Sequence, residues 1–206
     1  MFIKNLALTV TLSLAASVSL AAGTFDGPFA HLGSNLANTQ EDVSNLVGPG
    51  TTTFSAKARW VGQVGAGFSH AFGLFNLAAS AYYVLDDQDA MEASFSTPYG
   101  VNAVNSKLKN TRGISIEPGV YLNPSTLIYL KLGYISATRT LNTSLLGSRD
   151  DSFHGSTVGL GAKYAFTPAI YGIAEAQQGQ FRALTMDGVA IKPNSQTIFL
   201  GTGYKF

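Results

Sequence analysis

Four ionisable residues stand where a sheet curled on itself would turn them towards one another: Glu117, Lys131, Lys163 and Glu175. Each lies in an alternating stretch, on the face opposite its apolar neighbours, and each flanks a short Pro-bearing turn. A hairpin pivoting about Pro124 sets Glu117 directly opposite Lys131, and one pivoting about Ala169 sets Lys163 opposite Glu175. With Gln63 and Arg59 these side chains predict a charged layer across an interior too narrow for much else. The chemistry of such a layer is ion pairing. Leaving one partner alone there costs on the order of 3–5 kcal/mol.

Other residue types invite catalytic readings. His154 and Ser156 are two apart and share a strand face, which puts a base beside a nucleophile. A base also needs an orienting group. No carboxylate follows in the same strand or the next turn, and Glu175, the nearest, has the opposite parity. A chance pair is the better account. His31, His70 and His154 are scattered and form no metal constellation, and no cofactor is expected. Gly65-Ala66-Gly67 and Gly159-Leu160-Gly161 sit inside strands with no helix following, so they imply no phosphate cradle.

The elements that must position these residues are strands. Phe29–Leu36 alternates weakly and is read as the first. Phe54, Ala56, Ala58, Trp60, Gly62, Val64, Ala66 and Phe68 form a continuous apolar-or-small row, long enough for a tilted bilayer crossing. A tight turn at Ala71-Phe72-Gly73 leads to Phe75, Leu77, Ala79, Ala81, Tyr83 and Leu85. The fourth strand sets Ile114, Ile116, Pro118, Val120 and Leu122 outward, and the fifth Ile128, Leu130, Leu132 and Tyr134. Val158–Phe166, Ile170–Phe181 and Ser195–Phe206 complete the count at about eight. Pro118 is out of place in an interior strand, and a bulge near it is expected. The polar segments 38–53, 86–106, 141–153 and 183–194 read as long loops alternating with the short turns. That asymmetry and strand count predict an all-β, transmembrane, antiparallel up-and-down β-barrel.

Composition agrees. Charged residues make up 12% of the 206-residue chain, about half the usual share, beside 46% hydrophobic residues and 22 glycines. A lipocalin-like soluble barrel would need polar residues along one face of every strand, whereas here the second face is mostly Gly, Ser and Thr. Cysteine is absent, so no disulfide or thiolate site is available. At the N-terminus Lys4 precedes the apolar run Leu6–Leu20, and Ser19-Leu20-Ala21 has the small residues a signal peptidase reads. The expected domains are a signal peptide, 1–21, cleaved after Ala21, and a barrel, 22–206. A retained anchor is disfavoured because the run is short and lacks a basic stop-transfer flank. Without Lys4, 12 bases balance 12 acids, which argues against a nucleic-acid partner.

Pro118-Gly119-Val120-Tyr121-Leu122-Asn123-Pro124, continuing to Tyr129, Lys131 and Gly133-Tyr134, resembles the central hairpin of the small outer-membrane barrel family. That family comprises outer membrane protein A and X-like barrels, opacity proteins and porin-family proteins. Gly159-Leu160-Gly161 through Tyr164, Thr167-Pro168 and Ala174-Glu175 is similar to its next hairpin. The sequence departs from the family at Val120, where a Tyr usually follows Pro-Gly, and at Ala176, where an aromatic commonly follows the Glu. The resemblance implies residence in the bacterial outer membrane and contact with its lipid and lipopolysaccharide. It also makes Tyr204 and Phe206 the signal read by the barrel-assembly machinery. Some lipid A deacylases of this size carry a His-x-Ser pair followed by Asn, where this chain has Thr157. A structural or surface-interaction role with at most weak solute passage is expected, with a host or matrix partner met through the four long segments. A lipid-modifying enzyme and a narrow porin are the alternatives, and the peptidoglycan-binding function of the longer relatives is not expected.

Overall fold

The computed structural model describes residues 23–44, 50–97, 100–143, 147–186 and 189–206. The expected signal peptide and its cleavage site lie outside these residues, as do positions 45–49, 98–99, 144–146 and 187–188 of the long segments. The described residues form strands β1 (Gly27–Ser44), β2 (Thr51–Ser55), β3 (Arg59–Phe72), β4 (Phe75–Val84), β5 (Gln88–Thr97) and β6 (Gly100–Asn123). Then follow β7 (Thr126–Thr143), β8 (Gly147–Ala165), β9 (Ile170–Phe181), β10 (Leu184–Met186) and β11 (Val189–Lys205).

Every pairing is antiparallel, and β11 pairs with both β9 and β1, so the sheet closes. β2, β5 and β10 continue β3, β4 and β9 along the same partner after a one-residue slip. Eight staves therefore ring the barrel. Closure leaves no edge around the main ring, whereas β2, β5 and β10 are each paired on one side only, and the alternation decides which row meets lipid. Leu32, Trp60, Phe68, Ile116, Leu132 and Leu160 belong to the exposed outer band. Phe199 is the apolar residue in the otherwise polar or small inner row of the last strand, and it points into the lumen, where it is buried.

The short turns are Gly73-Leu74, Pro124-Ser125 and the stretch 166–169. Gly73 has φ 64°, a conformation its missing Cβ permits. Below this end the segment before β1 folds inward. Thr24 donates to the Pro124 carbonyl, and the Phe25 ring sits 5.4 Å edge-on from Tyr171.

Several expectations are corrected. The segments 38–53, 86–106, 141–153 and 183–194 are largely paired strand, with β1 running to Ser44 and β7 and β8 meeting as far as Thr143↔Gly147. Polarity there marks the point where the outer row leaves lipid; the ladder itself continues. The row from Phe54 to Phe68 is interrupted at positions 56–58, where the register to β1 slips by one. Near Pro118 the register holds, Ile116↔Leu132 and Gly119↔Tyr129 bracketing it, and the bulge falls at Tyr121–Asn123.

Candidate functional site: two charged levels in the lumen

Two apolar clusters plug the lumen. Phe25, Phe29, Leu127, Tyr171, Ile173 and Phe199 fill the short-turn end. Leu108, Ile135, Ala137, Phe153 and Phe181 form a second plug farther from the short turns. The first charged level lies directly above the lower cluster.

All four predicted residues point into the lumen and are buried: Glu117, Lys131, Lys163 and Glu175. Their partners differ from the expected ones. Lys163 Nζ donates to Glu117 Oε2 at 3.0 Å, and Lys131 Nζ to Glu175 Oε1 at 2.9 Å. Two causes act together. The second hairpin pivots one position earlier than Ala169, so Lys163 faces Ile173 and Glu175 faces Gly161. The inner wall is also concave, so long side chains meet across an intervening strand. Lys131 and Tyr129 lie opposite Gly159 and Gly161 of β8, and Gly161 leaves the path of Tyr129 open towards β9. A Cβ on Gly161 would fall 2.3 Å from the Tyr129 ring.

Further groups complete the level. Tyr129 donates to Glu175 Oε2 at 2.8 Å, and Ser80 donates to Glu117 Oε1 at 2.7 Å. The Lys163 ammonium lies 4.7 Å from the Tyr129 ring centre and 4.8 Å from that of Phe29, and Lys131 lies 4.8 Å from that of Tyr82. Gln63 is buried beside them and accepts from Asn35 at 2.9 Å. The cavity among His31, Gln63, Lys131, Lys163 and Glu175 measures about 10 Å³, room for one water. Arg59 does not join. It begins β3 just after the interrupted stretch, its side chain is 58% exposed, and it reaches Asp89 at 3.5 Å.

A second level was not read from the sequence. Arg139 of β7 grips Glu41 of β1 with Nε at 2.9 Å and Nη2 at 2.8 Å, and Ser106 donates to the same carboxylate at 2.8 Å. Both ions are essentially inaccessible to solvent. Glu41, which falls in the segment 38–53 expected to be a loop, is thus an interior residue. The signal was parity: Phe29, His31, Asn35, Ala37, Thr39 and Glu41 form one unbroken inward row. Several other acids of these segments are engaged as well. Asp42 accepts from Thr53 and Asn194, Asp86 accepts from the Gly62 amide, and Asp87 lies 4.0 Å from Lys109.

His154 and Ser156 face outward, with the His154 ring stacked 5.9 Å from Tyr134. Neither bonds to a carboxylate among the described residues, and Glu175 points inward. Tyr204 and Phe206 are exposed on the lipid face at the short-turn end, ring centres 5.2 Å apart. Phe206 donates its amide to the Pro28 carbonyl at 3.0 Å, so the terminus is zipped into the seam with β1.

A closed, eight-stave antiparallel ring with an apolar outer band and a charged, filled lumen defines an outer-membrane barrel. The family model for the outer membrane protein beta-barrel domain matches residues 6–206, and the chain belongs to that family. Among solved structures it is similar to neisserial surface protein A, at 14% identity and TM-score 0.50, covering 88% of this chain and 98% of that one. The attachment invasion locus protein Ail of Yersinia pestis, solved with a heparin analogue, gives 16% identity and TM-score 0.47 over 88% and 99%. The outer membrane protease OmpT of Escherichia coli gives 12% identity and TM-score 0.49 over 92% and 100%. These likenesses speak to the fold. A comparison with curated protein sequences found no match.

Proposed function

We propose that this protein is a sealed outer-membrane barrel with a structural or surface-interaction role and at most weak passive solute passage. The observation that carries the reading is the filled lumen. Two apolar plugs and two levels of paired charge occupy the space through which a solute would pass. On this reading the signal peptide is removed after Ala21, and Tyr204 and Phe206 present the terminal strand to the assembly machinery. The segments 38–53, 86–106, 141–153 and 183–194, whose described parts are largely paired strand, offer a host or matrix partner a surface.

Protein reconstituted in planar bilayers is expected to show no steady conductance. Large, stable conductance steps overturn the sealed-barrel reading. Deleting the β5–β6 arm is expected to abolish binding to any extracellular-matrix partner while the heat-dependent gel shift of a folded barrel persists. Equal binding without the arm removes the surface-interaction role.

A further inference from the structure

Beyond Val84 the ring divides. β3 and β4 pair only as far as Gln63↔Val84, and the strands that continue them, β2 and β5, form no ladder across the gap. β2 stays on β1 and β5 on β6, so the outer half consists of two four-stranded sheets, β10–β11–β1–β2 and β5–β6–β7–β8. The foot of the gap is pinned. Leu85 donates its amide to the Gly62 carbonyl at 2.8 Å, Gly62 donates to Asp86 at 2.9 Å, and Arg59 lies 3.5 Å from Asp89.

β2 therefore presents an unpaired strand edge, and the ladder shows which groups lie on it. The Ala56 amide donates to the Thr39 carbonyl at 3.0 Å, which makes these two residues a hydrogen-bonded pair. Alternation then turns Phe54 and Thr52 towards β1, and the amides and carbonyls of Thr51, Thr53 and Ser55 towards the gap, about 6.8 Å apart. Those groups have no partner among the described residues. β5 comes near without covering them, since Thr51, Thr52, Thr53 and Ser55 are all exposed. The edge is also held in place from behind. The Thr51 and Ser44 hydroxyls bond at 2.9 Å, and Thr53 donates to Asp42 at 2.7 Å. Open edges are commonly blunted by a charge or a proline, and Thr51–Ser55 contains neither.

We infer that the open edge of β2 is a docking site for an extended segment of a partner protein, which adds to it as a further strand. The inference rests on the surface-interaction role above and states the chemistry of its partner. A row of alternating backbone donors and acceptors is matched by another extended backbone with the same repeat. A second copy in the same membrane does not fit. Antiparallel pairing of β2 with β2 needs a twofold axis normal to the wall; that axis lies in the membrane plane and would turn the neighbouring barrel over. Lys57, two residues past Ser55, is exposed and in no ion pair among the described residues. An acidic residue therefore fits at that end of the segment.

The test uses the full chain purified in detergent and a fluorescent peptide that alternates Thr and Val and ends in Glu, with binding read by anisotropy. Saturable binding is expected. The same peptide N-methylated throughout keeps its side chains, loses its backbone donors and is expected to bind at least about tenfold more weakly. Thr53→Pro deletes an edge amide that the β1 ladder does not use, and is expected to weaken binding about tenfold. Thr53→Val keeps the edge, loses only the bond to Asp42 and is expected to stay within about twofold. Lys57→Glu is expected to reverse the preference, favouring a peptide that ends in Lys. Absence of saturable binding, equal binding of the N-methylated peptide, or full binding by Thr53→Pro with a normal heat-dependent gel shift overturns the inference. Self-association that Thr53→Pro abolishes without peptide also overturns it, assigning the edge to a second copy. Matrix binding lost on deleting the β5–β6 arm but kept by Thr53→Pro removes this edge alone and leaves the surface-interaction role standing.

Discussion

The two charged levels inside the barrel are built on different plans. The lower spreads two cations and two anions over β6, β7, β8 and β9, and backs each ion with hydroxyls or aromatic faces. The upper holds a bidentate pair, Glu41–Arg139, with Ser106 as its hydroxyl partner and with Arg139 Nη1 left without a partner among the described residues. A distributed network keeps some neighbours when one member is lost. A single pair in a sealed interior leaves a bare ion, whose burial is costly because no water can replace the lost charge. The comparison suggests that the upper level is the more brittle of the two seals.

The largest effect is therefore expected at Arg139→Leu, which isolates Glu41 and should destabilise the barrel by about 3–5 kcal/mol in urea unfolding from vesicles. Adding Glu41→Gln should recover much of that loss. A double variant as unstable as the single one breaks the contrast between the levels.

Next in size is coupling within the lower level. A double-mutant cycle on Glu117 and Lys163 is expected to show roughly 1–3 kcal/mol of interaction energy. The cycle on Glu117 and Lys131, cross-strand neighbours that bond elsewhere, should show less. The reverse order would restore the direct pairing that turn positions alone suggest.

Gly161→Ala should cost roughly 1–3 kcal/mol by pushing Tyr129 off Glu175. Adding Tyr129→Leu is expected to relieve part of it. The smallest effect belongs to the outer face. His154→Ala and Ser156→Ala should each change stability by less than about 0.5 kcal/mol. Lipid A composition is expected to stay the same in cells expressing either variant or the parent. Altered lipid A with the parent alone would reopen the enzymatic reading.

The legible part of the fold was its local part. Alternation in Ile114–Leu122 and Ile128–Tyr134 told which residues face lipid, and Gly73, Pro124 and Pro168 told where the chain reverses. Glu41 was misread because polar residues around it, among them Asn38, Gln40 and Asp42, resemble a loop once lipid no longer demands an apolar outer row. Its inward parity with Phe29 and Asn35 was present in the chain all the same. Arg59 failed for the opposite reason: its parity suits the lumen, but the slip at 56–58 places it at an opening.

What the sequence determined by itself was a set of two-residue periods, short turns and a terminal aromatic strand. These suffice for a closed barrel because backbone pairing in lipid admits few alternatives. Who meets whom inside was decided by the tertiary structure. Hairpin register and the concavity of the wall bring Lys163 to Glu117, Lys131 to Glu175 and Arg139 to Glu41, across strands that no local pattern relates. One position of pivot changes the residue opposite Lys163 from Glu175 to Ile173, and the glycine opposite Tyr129 opens the way that its side chain takes.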